Sequence, residues 1–130
     1  MNTKVLMTTS AITLATAGII LTFIPEEILI YFNLEITKHL QFLIQILGAL
    51  YFAFGMLNWM TRASLIGGIY NKPIVAANSA HFIIAGLTLI KVLISNPELP
   101  YPVWIIATIY TVFAISFILI FFRHPAPQNL

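Results

Sequence analysis

Apolar residues in this chain gather into four long runs, with the polar residues confined mostly to the connections between them. Residues 5–24, 39–60, 73–93 and 103–122 form the runs, each about 20 residues long, and none contains an acidic residue. Twenty residues of α-helix rise roughly 30 Å, the thickness of a bilayer's hydrocarbon core. The pattern therefore predicts an all-α integral membrane protein. It is expected to be an antiparallel four-helix bundle, with residues 1–130 forming one transmembrane domain. Short connections between successive spans favour neighbours packed side by side.

Polar positions inside the runs refine this. On the second span, Gln41, Gln45, Gly48, Phe52, Gly55, Trp59 and Arg62 recur at alternating steps of four and three. That spacing draws one stripe along a helix, with Tyr51 and Asn58 beside it. Small residues let helix backbones approach, and amides hydrogen-bond across helices, so the stripe is expected to face the bundle interior. Gln41, Gln45, Gly48 and Gly55 are its helix-packing members. On the third span, Asn78, His81, Ala85, Thr88 and Val92 repeat the spacing, and Asn71 extends the line into the loop. On the fourth, Trp104, Thr108, Thr111 and Ile115 form a mild polar stripe, while Phe113, Phe117, Phe121 and Phe122 are expected to face lipid.

The connections differ in character. Pro25 ends the first run. Residues 25–38 mix Ile28, Leu29, Ile30 and Tyr31 with Glu26, Glu27 and Lys38, which predicts a short interfacial helix between spans 1 and 2. Glu26 and Glu27 fall in its first turn, where the helix dipole favours negative charge. The middle loop contains Gly67 and Gly68, expected to supply positive φ for a tight turn. The tail 124–130 carries two prolines and is expected to be mobile.

Composition agrees with the pattern. Hydrophobic residues make up 60% and charged residues 8% of the chain, and mean hydropathy is +0.98. Soluble domains carry about 25% charged residues. All four acids, Glu26, Glu27, Glu35 and Glu98, lie in the connections after spans 1 and 3, where only Lys38 and Lys91 oppose them. Lys4, Arg62, Lys72 and Arg123 belong to the opposite side. The Lys/Arg excess places both termini and the middle loop in the cytoplasm. The basic side is too sparse for nucleic acid and suits contact with anionic lipid headgroups. At the N-terminus, Ala15-Thr16-Ala17 imitates a signal-peptide cleavage site, but the apolar run continues through Ile24, so a retained first helix is expected.

Candidate chemistry is sparse. Cysteine and aspartate are absent, which removes thiolate metal sites and thiol–disulfide chemistry. His39, His81 and His124 fall at different depths, so two-histidine haem ligation is not expected, and no cofactor or metal is assigned. The strongest cluster is polar: Asn58, Trp59 and Arg62 close span 2, and Asn71, Asn78 and His81 open span 3. His81 lies roughly 12 Å into its span, within the hydrocarbon, and must face the bundle. Its ring is expected to bond a polar residue of span 2, with Asn58 the first choice. The six residues make a candidate ligand site, weighed against plain interhelical bonding.

In size, in four spans and in the run from Gly48 through Ala49, Leu50, Tyr51, Phe52, Ala53 and Phe54 to Gly55, the chain resembles the DoxX-like class of small bacterial membrane proteins. The resemblance implies a helical bundle in a bacterial inner membrane and carries over no activity or functional residue. The functional expectation is a non-enzymatic inner-membrane protein acting through lipid or protein–protein contacts, including homo-oligomers. The alternative is a carrier or receptor for a small amphipathic ligand, held in the cytoplasmic half near His81. An enzyme is the least favoured class, because the usual acid–base pairs are missing.

Overall fold

The computed structural model describes residues 2–64, 66 and 68–123. Gly67 of the expected glycine turn and the tail 124–130, with His124, lie outside the described residues. The described chain folds into α1 (Thr3–Phe23), α2 (Pro25–Tyr31), α3 (Lys38–Thr61), a 3-10 turn (Ile69–Asn71), α4 (Lys72–Ser95) and α5 (Tyr101–Phe122). The four longer helices are each long and apolar enough to cross a membrane.

Local chemistry sets the boundaries. The Asn2 side chain caps α1 by accepting from the backbone N–H groups of Lys4 and Val5 at 3.1 and 3.4 Å. Pro25 ends α1 and begins α2 at a position that needs no amide donor. The segment expected to lie at an interface is helical over only seven residues, not through to Lys38. It stops because Asn33 adopts φ 53°, a left-handed conformation that asparagine tolerates. Leu34 N–H then reaches Leu29 C=O at 2.9 Å and Asn33 N–H reaches Ile30 C=O at 3.0 Å. This is a Schellman end with asparagine in place of glycine. Thr37 caps α3 by accepting from Leu40 N–H at 3.2 Å. In the middle loop Gly68 has φ −69° and ψ 162°, so the positive φ expected of the glycine pair is not used there.

The chain divides into two compact units, one ending at Ala63 and the other beginning at Ser64. In the first, α1 and α3 run antiparallel at very close range. Gly18 lies against Gly48 and Phe52, Gly48 against Gly18 and Thr22, and Gly55 against Ala11 and Ala15. A Cβ at Gly18 would come within 2.7 Å of the Gly48 carbonyl oxygen, and one at Gly55 within 2.7 Å of the Ala15 nitrogen. Leu29 of α2 is fully buried.

The second unit is an α4–α5 hairpin held by rings. Phe82 stacks on Phe117 at 5.6 Å between centroids and meets Phe113 at 4.8 Å and Tyr110 at 5.2 Å. Phe113 and Phe117 are therefore core residues, correcting the expectation that they face lipid; Phe122 is exposed. On the same helix Thr108 is exposed and Thr111 half-buried, and both donate to their own helix, at the Trp104 and Ala107 carbonyls 2.9 and 2.8 Å away. On α4 the buried line runs through Val75, Asn78, Ser79, Phe82, Gly86 and Leu93. It is rotated away from Thr88 and Val92, which are exposed.

These contacts predict opposite outcomes at two kinds of glycine. Gly18→Ala and Gly48→Ala should each lower thermal stability in detergent, by about 1–3 kcal/mol, through overpacking against backbone. Gly86→Ala should leave stability unchanged or raise it, because its Cβ would meet Tyr110 at an ordinary 3.8 Å and alanine favours the helix.

Candidate functional site

Within the first unit, the polar line of α3 is taken up by α1 and α2. Gln41 Nε2 donates to Glu26 Oε1 at 2.8 Å. Gln45 Nε2 donates to the Thr22 carbonyl at 3.4 Å, one of the acceptors an α-helix leaves open in its last turn. Gly48 and Gly55 form the close backbone contact above. Asn58 is fully buried, and its Nδ2 donates to Ser10 Oγ at 3.1 Å. The Ser10 hydroxyl in turn donates to the Met7 carbonyl at 3.0 Å. A hydroxyl that donates and accepts at once is well used in a buried site.

At the same end, Arg62 forms the C-terminal boundary of α3. Its guanidinium donates to the Trp59 carbonyl and lies 3.8 Å over the Trp59 ring. The arginine thus closes the helix it follows and stacks on an indole, with Trp59 itself half exposed.

The other three candidates belong to the second unit. Asn71 sits at the N-cap position of α4, its backbone N–H bonded to the Gly68 carbonyl at 3.0 Å. Asn78 is fully buried and its Nδ2 donates to the Ile74 carbonyl at 2.9 Å. The His81 ring packs at 5.0 Å from Phe82 and 5.6 Å from Tyr110, so it forms the edge of the aromatic cluster. The six candidates thus fall three to each unit: Asn58, Trp59 and Arg62 along the end of α3, and Asn71, Asn78 and His81 along the beginning of α4.

Sequence reasoning passed over Ser10 and Ser79. Ser10 stands one step before a line of small residues on α1, Ala11, Ala15, Gly18 and Thr22, spaced four, three and four. That spacing was the available signal for a surface that meets Gly48 and Gly55. Ser79 carried no such signal. It is buried, and among the described residues its hydroxyl has no hydrogen-bond partner.

Among the described residues no group of three or more histidine, aspartate or glutamate side chains gathers to hold a metal ion. The arrangement instead offers amide and hydroxyl bonding between helices, a stacked arginine and aromatic packing. Compared with protein families, characterised proteins and solved structures, the chain matches none.

The two serines separate bonding from mere burial. A Ser10→Ala and Asn58→Leu double-mutant cycle, read by unfolding in detergent, should give a coupling of about 1 kcal/mol, as expected for an interhelical bond in a membrane protein. Ser79→Ala should cost nothing measurable or stabilise the protein, since it removes a buried hydroxyl that no described group satisfies.

Proposed function

We propose that the chain is a multi-pass protein of a bacterial inner membrane that acts without catalysis, through contacts of its helices with lipid and with other membrane proteins or further copies of itself. The observation that carries this reading is the direction of the α3 amides. Gln41, Gln45 and Asn58 are all engaged by α1 and α2. What α3 turns outward is apolar, with Phe42, Leu43, Ile46 and Leu50 each more than half exposed. Only 11% of its most apolar stretch is buried. Such a surface belongs against hydrocarbon or another apolar helix. The carrier reading needs space beside His81, and the rings of Phe82, Tyr110, Phe113 and Phe117 that fill the α4–α5 contact favour packing there.

Both termini are assigned to the cytoplasm, from the excess of Lys4, Arg62, Lys72 and Arg123 over Lys38 and Lys91. The absence of cysteine makes this simple to test. Glu35→Cys and Glu98→Cys should react with a membrane-impermeant maleimide added outside intact cells, and Ser64→Cys only after lysis. The reverse pattern would overturn the orientation. For the function itself, native mass spectrometry of protein released from nanodiscs should show bound lipid, a second copy or another membrane protein. Retention of a water-soluble small molecule by a bare monomer would favour the carrier instead.

A further inference from the structure

The first unit carries a groove of about 210 Å³ between α1 and α3, lined by Ile12, Ala15, Phe52, Met56, Trp59 and Met60. All but Ala15 are exposed, and the lining is almost wholly apolar. From Phe52 to Met60 the groove follows α3 for about 12 Å. At its Trp59 end stands Arg62, stacked on the indole. Its guanidinium uses one N–H on the Trp59 carbonyl, and among the described residues no other acceptor takes its remaining donors, a planar set suited to phosphate oxygens.

The antiparallel register brings a second cation to this end. Ala15 lies beside Gly55 and Ser10 beside Asn58, so continuing the pairing sets Lys4 within a turn of Arg62. The acids of this unit, Glu26, Glu27 and Glu35, follow α1 and precede α3, and so belong to the opposite end. An apolar channel thus opens onto a positive end that no carboxylate of the unit opposes.

Resting on the lipid-contact reading above, we propose that this groove and Arg62 form a site for a glycerophospholipid with an anionic headgroup. One acyl chain lies along Phe52, Met56 and Trp59, and the phosphate pairs with Arg62, with Lys4 adding to the field. The apolar lining selects a lipid over a free anion, and the two cations select an anionic over a zwitterionic headgroup.

The test uses the full chain, extracted in a mild detergent, delipidated and mixed with equal amounts of phosphatidylglycerol and phosphatidylcholine of identical acyl chains. Native mass spectrometry counts the lipid retained. The wild type should retain phosphatidylglycerol in excess, and Arg62→Gln should reduce that preference by roughly five-fold, the effect of one basic residue near an anionic lipid surface. Met60→Glu, at an exposed position on the rim, should abolish the preference without touching Arg62 or its cap, and serves if Arg62→Gln fails to fold. Millimolar inorganic phosphate should leave the retained lipid unchanged.

Equal retention of the two lipids by the wild type would overturn the proposal, as would displacement of phosphatidylglycerol by phosphate or a lipid-free dimer that excludes lipid from the groove. If selectivity survives both substitutions while lipid is still bound, this site is wrong and the broader reading stands. If the wild type retains neither lipid nor a membrane partner, both fall.

Discussion

The close approach of α1 to α3 is the constraint on which the first unit depends. Gly18, Gly48 and Gly55 leave no room for a Cβ: Gly48 and Gly55 face the small residues Gly18, Thr22, Ala11 and Ala15, and Gly18 also meets the Phe52 backbone. In a lipid setting there is little hydrophobic gain in bringing two apolar helices together, so dispersion at short range and interhelical hydrogen bonds must do it. Backbone contact supplies the first. It also sets the register that puts Asn58 on Ser10 and Gln45 on Thr22. The amides are thus placed by the glycines, and the glycines are kept in step by the amides. The second unit solves the same problem differently: Phe82, Tyr110, Phe113 and Phe117 interlock through their ring faces and edges, and a Cβ at Gly86 would meet its nearest neighbour only at 3.8 Å.

A hydroxyl and an amide make different demands in such helices. Thr88, Thr108 and Thr111 each donate to the carbonyl four residues back, so a threonine can face an apolar medium with its hydrogen satisfied. A glutamine or asparagine has two donors and an acceptor to place. Gln41, Gln45 and Asn58 accordingly reach beyond their own helix. Polarity alone is therefore a poor guide to which face of a span is inward, and the kind of polar group is a better one.

That difference explains what could be read from the residues. The four helices were legible from the length and purity of the apolar runs, with ends shifted by only one or two residues where Asn2, Thr37 and the prolines intervene. Of the line expected on α3, Gly48, Gly55 and the neighbouring Asn58 are buried, whereas Phe52 and Trp59 are exposed, because close backbone contact needs the small residues inward and leaves the large rings outside it. The counterpart of that line on α1 was obscured, since Ala15 and Ala17 resemble a cleavage site and alanine is common in any apolar helix. The orientation of α5 was misread because nearly every residue on it is apolar. Its phenylalanines read as lipid-facing, whereas Phe113 and Phe117 are buried and hold the hairpin. Of the candidate site, Asn58 was identified and its serine partner was not, because a serine forty-eight positions away is recognisable only once the register of α1 and α3 is known.

The account rests on that register, and disulfide trapping in native membranes measures it against a background without cysteine. With Ser10→Cys and Asn58→Cys introduced together, mild oxidation should join the two positions rapidly, while Ser10→Cys with Gln45→Cys should remain reduced under the same conditions. Equal cross-linking of the two pairs, or failure of the Ser10–Asn58 pair to form, would contradict the α1–α3 interface and everything derived from it.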